Sequence, residues 1–127
     1  MRLPLRIASA VLGVSLILSA APAAAAARPN VVVLAVSADS GDTLRMITLQ
    51  CPGRTDHHPY GRAACATIDA VNGDLDRLPV SSRRCTKERD PVEVTMNGMW
   101  RNRGIGWQKT FSNACLMYAA TGPIFRF

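Results

Sequence analysis

The sequence is poor in the side chains from which most enzyme active sites are built. It has only two histidines, and these are adjacent, at His57 and His58 beside Asp56. Most hydrolytic sites need a nucleophile with a base, a pair of carboxylates or a metal cluster, and no such set stands out along the chain. We therefore predict no catalytic residue, and we interpret the two histidines as part of a solvated loop.

Motifs for metals, cofactors and phosphate groups are also missing. The Cys-x2-Cys and His-x3-His spacings of zinc sites do not occur. A zinc site that combined the histidines with Cys51 and Cys65 would need reduced thiols, which an exported chain does not favour. Gly104-Ile105-Gly106 lacks the third glycine of a phosphate-binding loop. The sequence thus predicts neither a metal nor a cofactor.

The first residues have the pattern of a secretory signal peptide. Two arginines precede the apolar run Ile7 to Leu18, and Ala23 to Ala27 then offers Ala-x-Ala cleavage sites. The apolar run is shorter than the roughly 20 residues that a membrane-spanning helix needs. We predict that residues 1–27 are removed, and that residues 28–127 form a single secreted domain with no membrane attachment.

The chain is basic, with a formal net charge of +6. A basic protein can bind nucleic acid, an anionic surface or an acidic partner. Because the predicted export separates the protein from nucleic acid, we expect no nucleic-acid partner.

The four cysteines are Cys51, Cys65, Cys85 and Cys115. An even number of cysteines in a short exported chain predicts two disulfides. Four cysteines can pair in three ways, and their spacing alone does not choose among them.

Apolar periodicity and turn residues predict an α+β domain. The predicted strands are Asn30–Ser37, Leu44–Cys51, Val92–Trp100, Ile105–Phe111 and Thr121–Phe127. The predicted helices are Arg62–Val71 and a shorter one within Asn113–Ala120. The third and fourth strands form a hairpin whose turn is ambiguous from the sequence. We prefer a turn at 101–104, with a bulge near Gly98, over a turn at Asn97-Gly98.

The segment from Pro79 to Pro91 has no periodic apolar pattern and is rich in cations, so we predict an exposed loop. Cys85 tethers one end of it if that cysteine is paired. At the other end, Pro91 restricts Asp90 to extended geometry. Lys87 lies between them. A tethered, extended segment that displays one long cation is what the cleft of a serine protease accepts.

Several blocks of residues, in this order and spacing, carry a family resemblance. They are Cys51-Pro52-Gly53, Gly61 to Cys65, Ala70 to Leu75, Asp90-Pro91-Val92, Gly98-Met99-Trp100 and Phe111 to Cys115. With them the chain resembles the Streptomyces subtilisin inhibitor family of secreted serine protease inhibitors. The resemblance covers about Val31 to Phe127.

This resemblance implies a fold, a disulfide pairing and an assembly. The fold is a five-stranded antiparallel sheet with two helices packed on one side. The implied disulfides are Cys51–Cys65 and Cys85–Cys115. The implied assembly is a homodimer formed through sheet surfaces.

The resemblance also implies the reactive bond Lys87–Glu88, two residues after the third cysteine, with Lys87 as the P1 residue. The implied protease-binding loop further contains Arg84, Cys85, Thr86, Arg89 and Asp90. Asn113 is implied as a support beneath the loop. The expected partners are serine proteases of the subtilisin and trypsin types, because trypsin-like enzymes hold an aspartate in the S1 pocket that a lysine can reach.

A different function remains open from composition alone. The chain could be a basic exported module that binds acidic polymers or the cell envelope. Its binding residues would be Arg83, Arg84, Arg101 and Arg103. Such binding would weaken steeply with salt, and protease inhibition would be absent.

Overall fold

The computed structural model describes residues 13, 16–24, 29–52 and 57–127. Most of the predicted signal peptide therefore lies outside the described residues, as do residues 53–56 of the predicted loop after Cys51. Within the described part, no helix is both long enough and apolar enough to cross a membrane.

The first two strands form an antiparallel hairpin, as predicted. β1 (Asn30–Ala38) and β2 (Thr43–Cys51) are joined by a short turn in which the Gly41 amide donates to the Ala38 carbonyl at 2.9 Å. Alternation decides which face of β1 is buried, because successive side chains of a strand point to opposite faces. Val32 and Leu34 are fully buried, whereas Val33 between them is exposed.

The second hairpin has the longer arms that the sequence favoured. β3 (Val92–Trp100) and β4 (Arg103–Phe111) are joined by Arg101 and Asn102, whose φ angles are 45° and 62°. Two consecutive positive φ values identify the tight hairpin turn whose twist matches that of the flanking strands.

The predicted bulge near Gly98 is wrong. β3 pairs through Gly98 with both β1 and β4 without a register shift. Glycine is needed at position 98 for a different reason. Its φ is 153°, and a Cβ there would collide with the Val31 carbonyl oxygen and lie 2.8 Å from the Val32 Cα. Glycine at this position therefore permits a close approach of β3 to β1.

The described residues form a four-stranded antiparallel sheet in the order β2-β1-β3-β4. The predicted fifth strand, Thr121–Phe127, is wrong. Gly122, with a φ of 58°, ends the preceding helix, and the Ile124 amide then donates to the Thr121 carbonyl at 3.3 Å in a turn. Ile124 and Phe125 are fully buried. The apolar residues of this segment therefore reflect burial in the core, not strand pairing.

Two helices, α1 (Gly61–Ala70) and α2 (Ala114–Thr121), and a single 3₁₀ turn (Leu75–Arg77) complete the described fold. One buried cluster joins the sheet to both helices. Its members include Leu34, Met96, Ile68 of α1, Met117 of α2 and Phe125.

The other face of the sheet is open in the described part of the chain. Val33 of β1 pairs with Thr48 of β2, and Ala35 pairs with Met46, so their side chains share the face opposite Leu34. Val33 is 36% exposed and Met46 is 67% exposed. The sheet therefore presents Val33 and Met46, beside polar residues such as Thr48, on the side away from the core.

Both disulfides pair as the family resemblance implied. Cys51, at the end of β2, is bonded to Cys65 of α1, with their Cα atoms 5.6 Å apart. Cys85 is bonded to Cys115 in the first turn of α2, with a Cα separation of 5.7 Å.

The interpretation of the histidines as a solvated pair holds for His57, which is exposed, but is wrong for His58. His58 is only 3% exposed. Its Nδ1 accepts a hydrogen bond from the Tyr60 amide at 3.0 Å, so Nε2 carries the proton and donates to the Ile124 carbonyl at 2.8 Å. The ring also lies 5.6 Å from that of Phe127. His58 thus holds the C-terminal segment onto the core.

Candidate functional site

Residues 79–91, which we call the 79–91 loop, connect the 3₁₀ turn to β3 without regular secondary structure. Every residue from Val80 to Asp90 is exposed except Cys85, which is partly buried. The loop therefore leaves its side chains free for contact with another molecule.

Three anchors fix the backbone of this loop to α2 and the residues just before it. Near its start, the Ser81 amide donates to the Ala119 carbonyl at 2.8 Å. In the middle, the loop is covalently tied by the Cys85–Cys115 disulfide. Near its end, the Asp90 amide donates to the Ser112 carbonyl at 2.9 Å. An exposed loop that would otherwise be mobile is thus restrained along its length.

A fourth anchor lies under the centre of the loop. Asn113 is only 6% exposed, and its Nδ2 donates to the carbonyl oxygens of Thr86 at 3.1 Å and Glu88 at 2.8 Å. Its Oδ1 accepts from the Leu116 amide at 2.9 Å and so caps α2. Because the helix amide needs an acceptor, the cap leaves the NH2 group of Asn113 facing the loop.

The same two hydrogen bonds flank Lys87. Carbonyl groups two residues apart share one side of an extended segment, and the carbonyl between them points to the other side. The two carbonyls that Asn113 binds are those of Thr86 and Glu88, the neighbours of Lys87 on either side. The Lys87 side chain is also exposed and has no hydrogen-bond or ion-pair partner among the described residues.

The loop is charged along most of its length. Its exposed charged residues are Arg83, Arg84, Lys87, Glu88, Arg89 and Asp90. None of them forms an ion pair with another residue of the described ranges. The cations outnumber the carboxylates, so the loop presents a net positive surface.

Arg101 and Arg103, which the alternative interpretation grouped with Arg83 and Arg84, lie elsewhere. They are at the far end of β3, roughly 25 Å along the strand from the 79–91 loop. Arg101 pairs with Asp69 at 2.7 Å, and Arg103 donates to the Asn72 carbonyl at 2.8 Å. The four arginines therefore do not form one basic patch.

The described residues also contain no arrangement typical of a metal centre. No group of three or more His, Cys, Asp or Glu side chains among them could hold an ion. All four cysteines are in disulfides.

Sequence reasoning named the loop residues from Arg83 to Asp90 and the support Asn113, but it missed Ser81 and the backbone anchors. The carbonyls of Ser112 and Ala119 carry no signal in the sequence, because every residue has a carbonyl. The cap at Asn113 did have a signal, since asparagine before a helical segment is a common N-terminal cap. That cap explains why the side chain has a fixed orientation under the loop.

Both the 79–91 loop and Asn113 lie within a segment that matches known proteins. Residues 28–113 match a family model described as subtilisin inhibitor-like. The chain is 38% identical over 105 residues to subtilisin inhibitor-like protein 2 of Streptomyces rochei, an alignment that covers 78% of this chain and 93% of that protein. It is 37% identical over 121 residues to a subtilase-type protease inhibitor of Streptomyces coelicolor, with coverage of 91% and 84%.

A solved structure shares the fold. It is the crystal structure of Streptomyces caespitosus sermetstatin in complex with Bacillus licheniformis subtilisin. The superposition has a TM-score of 0.64 at 34% identity, and it covers 79% of this chain and 100% of that one.

Proposed function

This chain belongs to the subtilisin inhibitor-like family, and we propose that it inhibits serine proteases by placing the 79–91 loop in their active-site cleft as a substrate would. Like the relatives named above, it is a protease inhibitor and not an enzyme. The proposed reactive bond is Lys87–Glu88. The observation that carries this proposal is the pair of hydrogen bonds from Asn113 to the carbonyls of Thr86 and Glu88, which in an extended loop would turn the Lys87 carbonyl outward.

In the proposed complex, the loop adds to the enzyme as an extended strand. Lys87 fills the S1 pocket as P1, and its carbonyl faces the seryl oxygen and the oxyanion hole. Arg84, Cys85 and Thr86 occupy the P4, P3 and P2 positions, and Glu88 and Arg89 follow as P1′ and P2′. Because the anchors order the loop before binding, less conformational entropy is lost on association.

The same anchors should make cleavage of the proposed reactive bond slow. If the enzyme cut Lys87–Glu88, the acyl side would stay tied through the Cys85–Cys115 disulfide. The amine side would stay held by the Glu88 carbonyl on Asn113 and by the Asp90 amide on Ser112. The new amine thus remains beside the acyl-enzyme at a high effective concentration, which favours resynthesis of the bond.

Two separate observations support inhibition of two protease classes. A lysine side chain reaches the aspartate at the base of a trypsin-like S1 pocket. Subtilisin-type inhibition is supported by the relative that was crystallised with subtilisin. We propose that the chain inhibits both.

One titration tests this function. The purified, oxidised protein should inhibit trypsin and subtilisin stoichiometrically, and mass spectrometry after long incubation should find cleavage only at Lys87–Glu88. Inhibition of neither protease would refute the proposal. Cleavage at Arg84–Cys85 in place of Lys87–Glu88 would refute the assigned bond.

We further propose that the protein is a homodimer and that it is secreted after removal of residues 1–27. The dimer is supported by the open sheet face that carries Val33 and Met46. Secretion is supported by the leader pattern and by the start of the family match at residue 28. N-terminal sequencing of the protein from culture medium checks the cleavage site.

A further inference from the structure

Two side chains just after the proposed reactive bond carry opposite charges and have no ion-pair partner among the described residues. Glu88 and Arg89 are both exposed. Neither side chain forms a hydrogen bond or an ion pair with any residue that the structure describes. Two ion pairs occur among the described residues, Arg101–Asp69 at 2.7 Å and Lys109–Asp76 at 3.7 Å, and neither involves the 79–91 loop.

The backbone that carries these two side chains is held on both sides. The Glu88 carbonyl accepts from Asn113 at 2.8 Å, and the Asp90 amide donates to the Ser112 carbonyl at 2.9 Å. Glu88 and Arg89 therefore project from fixed positions relative to Lys87. An enzyme that binds the loop meets both charges in defined places.

Binding would remove water from both charges. A carboxylate or guanidinium that loses its hydration without gaining a partner weakens binding, whereas a partner of opposite sign offsets that loss. Because Glu88 and Arg89 gain no partner from the described part of their own chain, the enzyme has to supply both. Charges of the wrong sign at these subsites would disfavour the complex, which is how charged residues reject incorrect partners.

We propose that Glu88 and Arg89 are specificity-determining residues, and that the target is a trypsin-like serine protease with a cationic side chain at S1′ and an acidic side chain at S2′. This inference rests on the proposed function, because it takes Lys87–Glu88 as the reactive bond. The proposed target thus carries three charged side chains that pair with the loop: an aspartate in S1 with Lys87, a lysine or arginine in S1′ with Glu88, and a carboxylate in S2′ with Arg89.

A double-mutant cycle tests the proposed pairing of Glu88 with a cationic side chain at S1′. The probe is a trypsin-like protease with a lysine at S1′, together with its lysine-to-glutamine variant. Glu88→Gln should weaken inhibition of the lysine enzyme about tenfold, as expected for a close charge pair at an interface, and should leave inhibition of the glutamine enzyme nearly unchanged. Asp69→Asn removes the same charge beside Arg101, at the far end of β3 from the loop, and should change neither value.

A second double-mutant cycle tests the proposed pairing of Arg89 with an acidic side chain at S2′. The probe is a trypsin-like protease with a glutamate at S2′, compared with its glutamate-to-glutamine variant. Arg89→Gln should weaken inhibition of the glutamate enzyme about tenfold and leave inhibition of the other enzyme nearly unchanged.

The outcomes separate the two proposals. If the unmodified protein inhibits these enzymes and is cut at Lys87–Glu88, but each substitution changes inhibition equally for both members of its enzyme pair, charge selection is wrong and the proposed function stands. If the unmodified protein inhibits none of the enzymes, the proposed function fails and this inference fails with it.

Discussion

The Nδ2 atom of Asn113 lies 2.8 Å from the carbonyl oxygen of Glu88, so a buried amide at the start of α2 holds the chain just beyond the proposed reactive bond. The same side chain reaches the Thr86 carbonyl on the other side at 3.1 Å. Asn113 alone therefore links the N-terminal end of α2 to the residues on both sides of Lys87.

This link predicts the behaviour of Asn113→Asp. Aspartate keeps an oxygen for the Leu116 amide, so the helix cap survives, but it has no NH2 group for the two loop carbonyls. Loss of two hydrogen bonds of about 1 kcal/mol each should loosen the loop and accelerate cleavage at Lys87–Glu88 by about 10- to 30-fold. The measurement is the hydrolysis rate by mass spectrometry during incubation with trypsin.

Asn113→Ala is the comparison for that experiment, because it removes both the cap and the loop contacts. It should lower the free energy of unfolding by an additional ~1 kcal/mol through the lost cap. If Asn113→Asp is hydrolysed as slowly as the unmodified protein, Asn113 does not hold the loop for the enzyme.

Replacing Lys87 should affect inhibition of the two protease classes differently. Lys87→Met keeps a long side chain and removes the charge. It should weaken inhibition of trypsin by about 2–5 kcal/mol, because the aspartate in the S1 pocket loses its ionic partner. Inhibition of subtilisin should change by less than about tenfold, since its pocket needs no such charge. Inhibition constants for both enzymes check this, and equal losses against both would contradict the assignment of Lys87 as P1.

The two disulfides predict different consequences of removal. Replacing Cys85 and Cys115 together by serine opens a span of 30 residues and should cost ~3.5 kcal/mol of stability in the loop-entropy model. It should also convert the inhibitor into a substrate, because the acyl side of the cut bond loses its covalent tether. Residual protease activity followed over hours measures this change.

The matched control removes the other disulfide. Replacing Cys51 and Cys65 by serine opens a span of 14 residues and should cost a similar ~3 kcal/mol. At a temperature where both variants remain folded, this control should still inhibit persistently. Equal loss of persistence in both variants would mean that global stability, not the local tether, protects the reactive bond.

Patterns local in sequence predicted most of this fold, and the errors arose where distant contacts decide. Alternating residues identified β1 to β4, because each strand has one buried face. The segment from Thr121 to Phe127 has the same apolar character, but Gly122 turns it and the core buries Ile124 and Phe125. His58 was misread for the same reason, since its partner Ile124 is 66 residues away.

In the candidate site, too, local sequence patterns predicted some features, and distant contacts decide the others. The lack of a periodic apolar pattern, together with Cys85 and Pro91, indicated an exposed, restrained loop around Lys87. Two of the restraints depend on the carbonyls of Ser112 and Ala119, which accept the Asp90 and Ser81 amides. Since any residue offers such a carbonyl, only the three-dimensional arrangement reveals which ones hold the loop.

The open sheet face predicts the oligomeric state. Met46 is 67% exposed beside Val33 on a surface that no described element covers, and a second copy would bury it. Met46→Lys should therefore yield a monomer in analytical ultracentrifugation, because a buried, unpaired ammonium disfavours the interface. Ala63→Lys adds the same charge on an exposed position of α1 and should remain a dimer. A monomeric unmodified protein would exclude the dimer, and a dimeric Met46→Lys variant would place its interface elsewhere. Either result leaves the reactive loop unaffected, because the loop is anchored to α2 and its preceding residues within one chain.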